Sequence, residues 1–281
     1  MPDVPETRHA AEQQPITRAQ RRAERAAAPR PPATALRPLA IIATMAFAGL
    51  IALTGFTYPV LVALAVALTG GVLAYGWPTL LALPSPRGTT TVVAIGTLSS
   101  VAAATLMRNE PFLEWIPAAL AVSLLAAFLH QLLRRDGRPR LTESVAATAA
   151  GLAIVAIGAN YVPLPRTLGG SQTMAAAMAA IALSALADVA LDHRRLRPWA
   201  LPIAMVLGGA GAMLVALMDG RPMPAPAALI GLLAAGIAHA TRRVLAVLPT
   251  MASSRSQLAS GAASVLVCGV VVYALGRILI A

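Results

Sequence analysis

Nine stretches of this chain have the length a helix needs to cross the hydrocarbon core of a bilayer, roughly 20 residues, and carry almost no charge. They lie at about 39–56, 59–77, 89–107, 114–133, 143–161, 172–191, 199–218, 226–245 and 260–280. No other feature limits the fold as strongly. In lipid every backbone N–H and C=O must be bonded within the protein, so only helices or a closed barrel can span. A barrel strand alternates apolar and polar residues, and no stretch sustains that alternation. The sequence therefore predicts an all-α polytopic transmembrane bundle of about nine helices. Pro59, Pro117, Pro202 and Pro226 fall in first turns, where a missing N–H costs no helical hydrogen bond.

Composition supports the same class. The chain is 58% hydrophobic and 12% charged, whereas soluble domains carry about a quarter charged residues. The single cysteine, Cys268, excludes a disulfide framework and a cysteine-based metal cluster.

The basic residues are all arginine, and their placement predicts orientation. With the amino terminus in the cytoplasm, 18 of the 22 arginines fall in cytoplasmic segments. Only Arg108, Arg166, Arg221 and Arg277 remain outside. Adding or removing one span would destroy this asymmetry, so the charges also check the span count. The carboxy terminus is then external. Trp77 and Trp199 at inner boundaries, and Tyr58, Trp115 and Tyr161 at outer ones, are expected as interfacial anchors.

Residues 1–38 form a polar, Arg/Pro/Ala-rich arm, expected to be cytoplasmic and disordered. Within it, 17–28 suits a basic helix lying on anionic lipid, but a solvated arm that helps fix topology is the simpler reading. The bundle occupies 39–281, and no connection in it is long enough for a soluble domain.

Ionisable groups inside a membrane are costly, and each marks a functional candidate. The centres of the nine spans hold none, which argues against a carrier coupled to a central carboxylate. The inward ends of three even-numbered spans share a pattern. His130 and Arg134, Asp188 and Asp192, and His239 and Arg243 are each four residues apart, hence on one helical face. Together with Arg135 and His193, these residues would form a cytoplasmic pocket if the three ends converge. Such a pocket suits a phosphate or lipid headgroup, because guanidinium binds phosphate in a two-pronged fork. Asp188 and Asp192 also suit a divalent cation. The plainer reading is that arginines end inward-running helices for topology and for the helix dipole.

Small-residue rows at Gly208–Gly211, Ala175–Ala180 and Gly231–Gly236 read as packing seams. In the third span, Gly96, Thr97, Ser99 and Ser100 offer the best place for a local unwinding that would present carbonyls to a solute. No phosphate-cradling loop, zinc-protease motif or hydrolase elbow is present.

The intermediate size and the Asp188/Asp192 pair are similar to those of the CDP-diacylglycerol synthases. That family's Ser/Asp/Lys-rich signature cannot occur in a chain without lysine, so membership is excluded. In its Arg/Pro/Ala-rich arm and Ala/Leu/Val-rich body, the chain resembles the uncharacterised multi-pass membrane proteins of high-GC Gram-positive bacteria. The resemblance covers the whole chain and implies a multi-pass protein of the bacterial plasma membrane, without naming an activity.

Three functions stay open: a permease-like carrier for a small or amphiphilic solute, a non-enzymatic component packing against partners or lipids, and a lipid- or envelope-linked transferase. The first two are preferred, so an enzyme is not the expectation. Neither a cofactor nor a nucleic-acid partner is expected. Membrane lipids are the expected partners, with anionic headgroups at the cytoplasmic face.

Overall fold

A computed structural model of the chain describes residues 36–134, 139–193, 195–220 and 222–280. Among them, nine helical segments are long and apolar enough to cross a membrane, and the regular structure is helical throughout. The first eight spans begin as α1 (Pro38–Gly55), α2 (Pro59–Leu80), α3 (Pro86–Leu106), α4 (Ile116–Leu133), α5 (Leu141–Gly158), α6 (Gly170–Leu186), α7 (Ala200–Asp219) and α8 (Pro224–Ala246). The ninth span is divided into α9 (Ser254–Leu266) and α10 (Gly269–Leu279). Most of the expected arm, with its candidate basic helix, lies outside the described residues.

Helix starts follow local chemistry. Pro38, Pro59, Pro86, Pro117 and Pro224 occupy the first or second helical position, where their fixed φ is preorganised and no intrahelical donor is lost. Pro78 falls inside the last turn of α2, which runs on to Leu80 past the expected end at 77.

Bonds between connections sort them into two ends. At one end, Arg140 Nη1 donates to Ala82 O at 2.7 Å, and Thr250 Oγ1 donates to Leu80 O. At the other, Arg166 Nη1 donates to Ala104 O and Met107 O, and Arg277 pairs with Glu110 at 2.6 Å. The α2–α3, α4–α5 and α8–α9 connections thus share the arginine-rich end, as alternating spans require.

The interior is built around α6 and α9. Helix α6 packs on α1, α7 and α8, while α9 packs on α1, α2 and α8. Helix α4 lies at the edge, against α3 and α5. Only 17% of its apolar window is buried, compared with 67% for the sixth span, so the described residues leave most of α4 uncovered.

The small-residue rows bring backbones together. A Cβ on Gly208 would stand 2.2 Å from Ala235 Cβ, and one on Gly231 would stand 2.4 Å from Ala212 Cβ. Real Cβ atoms do not approach so closely, so the α7–α8 seam requires glycine. Gly231 also faces Ala180 of α6, which makes one seam of the three rows.

Two expected interfacial anchors are interior residues instead. Trp77 is buried and donates from Nε1 to Ala147 O at 2.7 Å, joining α2 to α5. Tyr161 has 0% exposure and donates to Val265 O at 2.9 Å. Each ring carries one polar atom that finds a backbone carbonyl, so burial leaves nothing unbonded. Tyr58, Trp115 and Trp199 are exposed, as anchors should be.

Candidate functional site

Helix α8 presents its buried face through Gly231, Ala234, Ala235, Ala238, His239, Arg242, Leu245 and Ala246. This is a helical-period stripe of small and apolar residues, broken by an imidazole and a guanidinium. His239 stands seven residues before the helix end at Ala246, about 10 Å inside at about 1.5 Å per residue. Facing it, α6 ends at Leu186 and tightens into a 3₁₀ turn over Ala187–Asp192, which carries Asp188.

These residues form one buried cluster. Arg242 Nε donates to Asp188 Oδ2 at 2.6 Å. Arg242 Nη2 donates to Ser184 O at 3.0 Å and reaches Ser184 Oγ at 3.3 Å. His239 Nδ1 lies 2.8 Å from Asp188 Oδ1. The guanidinium compensates the carboxylate, which would otherwise be costly inside an apolar bundle. Arg242 itself is only 3% exposed.

A small pocket opens beside the cluster. Leu36, Arg37, Ala40 and Ile41 line it from the start of α1, Asp188 from the turn after α6, and Arg242, Arg243 and Ala246 from α8. Met251 and Ser260 complete it from the α9 side.

The structure brings part of the expected site together and separates the rest. Asp188 and Arg243 share the pocket, and His239 joins through Asp188. His130 is elsewhere, on peripheral α4, with Nε2 3.2 Å from Ser85 Oγ and its ring over Gly88. Arg134 Nη1 donates to Gln131 Oε1 at 2.8 Å, and Gln131 Nε2 donates to Ser144 Oγ at 2.9 Å. His193 is exposed beyond the turn. Arg135 and the Asp192 side chain lie outside the described residues. Asp188 turns its oxygens to Arg242 and His239, and the described residues contain no metal-sized group of His, Cys, Asp and Glu.

Arg242 is the residue that the spacing argument underrated. Pairing His239 with Arg243 used the four-residue interval, but the structure uses the three-residue one. The buried row from Gly231 through Ala235 and Ala238 leads to position 242, not 243. Arg37 and Ser260 had no sequence signal, because they join the pocket only through the packing of α1 and α9.

The third span does not unwind at Gly96–Ser100. Helix α3 is continuous, Thr97 Oγ1 donates back to Val93 O at 2.8 Å, and Ser99 Oγ donates to Gly96 O at 3.2 Å. Hydroxyls on an apolar helix are commonly satisfied in this way. The interruption falls instead in the ninth span at Val267–Cys268, where Tyr161 takes the Val265 carbonyl.

The fold defines a multi-pass, all-helical membrane protein. No protein-family model matches the chain, and no curated protein or solved structure is significantly similar to it.

Proposed function

We propose that the protein is a permease-like carrier of the bacterial plasma membrane, and that the Asp188–His239–Arg242 cluster is the polar element its small or amphiphilic solute engages. One observation supports this most: three ionisable side chains are buried together within an apolar bundle. Buried ion pairs seldom add stability over apolar packing, so their retention is better explained by a ligand or ion pathway. By the arginine distribution, this end faces the cytoplasm.

The transferase reading loses support, and the partner reading loses its small-residue contacts. A partner-binding role was to draw on the small-residue faces, but Gly208, Gly211 and Gly231 are occupied within the chain by Ala235, Leu183 and Ala212. A transferase was to use His130 beside Asp188 and His239, yet His130 contacts Ser85 and Gly88 on a helix that packs on α3 and α5.

The test is uptake into proteoliposomes of a panel of amino acids, sugars, organic acids and inorganic phosphate. A solute accumulated above protein-free liposomes by the wild type and lost in folded His239→Gln supports the carrier. Folded wild-type protein that moves none of them counts against it.

A further inference from the structure

Four buried donor atoms without a partner among the described residues belong to three side chains around the pocket. They are Arg37 Nε and Nη2, Arg242 Nη1 and Ser260 Oγ. Buried polar groups are nearly always bonded, and each exception needs an explanation. Here the four come from α8, α9 and the residue before α1, on side chains that line one pocket together with one unpartnered acceptor, Asp188 Oδ1. Beside the paired Arg242 and Asp188, the guanidinium of Arg37 makes the lining cationic among the described residues. The amino-terminal turn of α1, with Ala40 and Ile41 on the wall, adds the positive end of a helix dipole.

The cavity measures about 20 Å³, room for roughly one water-sized centre. A single water offers two lone pairs and no charge, too few for the four donors. A planar carboxylate directs two oxygens in one plane. A tetrahedral oxyanion can seat one oxygen in the notch and turn others to guanidiniums arriving from different helices.

We propose that this pocket is a phosphate site, with Arg37, Arg242 and Ser260 as the binding residues and the remainder of the ligand at the mouth. It rests on the proposed role of the buried cluster only through the shared Arg242, and binding does not require transport. The phosphate belongs either to a lipid headgroup or to a soluble phosphate.

The test uses the full chain in detergent. Native mass spectrometry with phosphatidylglycerol reads headgroup binding, and thermal unfolding in inorganic phosphate against chloride at equal ionic strength reads soluble phosphate. Arg37→Gln and Ser260→Ala remove atoms with no protein partner, so both should fold. Each should weaken the occupied mode, with Arg37→Gln losing roughly tenfold in affinity. Arg255→Gln is the control, because Arg255 lies over the Tyr75 ring, 4.7 Å from its centroid, and does not line the pocket. Lipid retention that depends on Arg37 identifies the headgroup, and a phosphate-specific shift that depends on Arg37 identifies soluble phosphate. The proposal is overturned if neither ligand binds, or if Arg255→Gln weakens binding as much as Arg37→Gln. No uptake with binding intact would remove the carrier reading alone, whereas uptake without phosphate binding would remove the site alone.

Discussion

Arg242 Nε stands 2.6 Å from Asp188 Oδ2, joining the last turns of α8 to the 3₁₀ turn after α6 inside the bundle. Removing one member leaves the other buried without its counter-charge, which costs about 3–5 kcal/mol in comparable pairs. Asp188→Asn and Arg242→Gln should each lower unfolding stability by an amount of that order. The double variant should lose clearly less than the two losses combined, because no unpaired charge remains. Thermal or denaturant unfolding of the three variants measures the coupling. Simple additivity would mean that the two charges act independently.

The α7–α8 seam gives a contrast between glycines of the same helical type. A Cβ at Gly231 meets Ala212 Cβ at 2.4 Å and Gly208 O at 2.7 Å, whereas a Cβ at Gly71 meets nothing within 4 Å. Gly231→Ala should therefore destabilise by about 1–3 kcal/mol through overpacking. Gly71→Ala should be neutral, or stabilising by up to about 1 kcal/mol, since alanine is the better helix former. Unfolding in a common detergent compares them directly, and equal effects would refute the close approach of α7 and α8.

Much of this was legible because the bilayer imposes rules that act on short windows. Span length, apolar content and first-turn prolines are local, and they suffice to give nine spans. The arginine pattern is nearly local as well. The sequence did not reveal which face of a span meets which neighbour. Trp77 and Tyr161 sit where interfacial anchors belong, and only the arrival of Ala147 and Val265 carbonyls makes them interior. The same limit split the candidate site. His130 and His239 end their spans in similar sequences, but α4 is peripheral and α8 central. Only one of the two imidazoles therefore meets Asp188.

Orientation in the membrane rests on arginine counts and can be tested at exposed positions. Arg195 lies in the connection after α6, and Asn109 in the connection after α3. With the amino terminus inside, Arg195→Cys should react with an impermeant maleimide only after the membrane is opened. Asn109→Cys should react in intact cells. The native Cys268 is fully buried and should stay silent in both. Labelling from the opposite sides would invert the topology and place the phosphate pocket outside the cell.

One side-chain hydroxyl bonds across the division of the ninth span. Helix α9 stops at Leu266 and α10 resumes at Gly269, where a Cβ would stand 2.2 Å from Ile157 O. Tyr161 OH donates to Val265 O across this joint, and both residues are fully buried. Tyr161→Phe keeps the ring and its packing while leaving that carbonyl without its side-chain donor. The expected cost is about 1–2 kcal/mol. Cys268 should then become reactive to a small thiol reagent before global unfolding, since the joint holding it has lost its tie. Unchanged stability and a silent Cys268 would show that close packing at Gly158 and Gly269 alone holds the two half-helices in place.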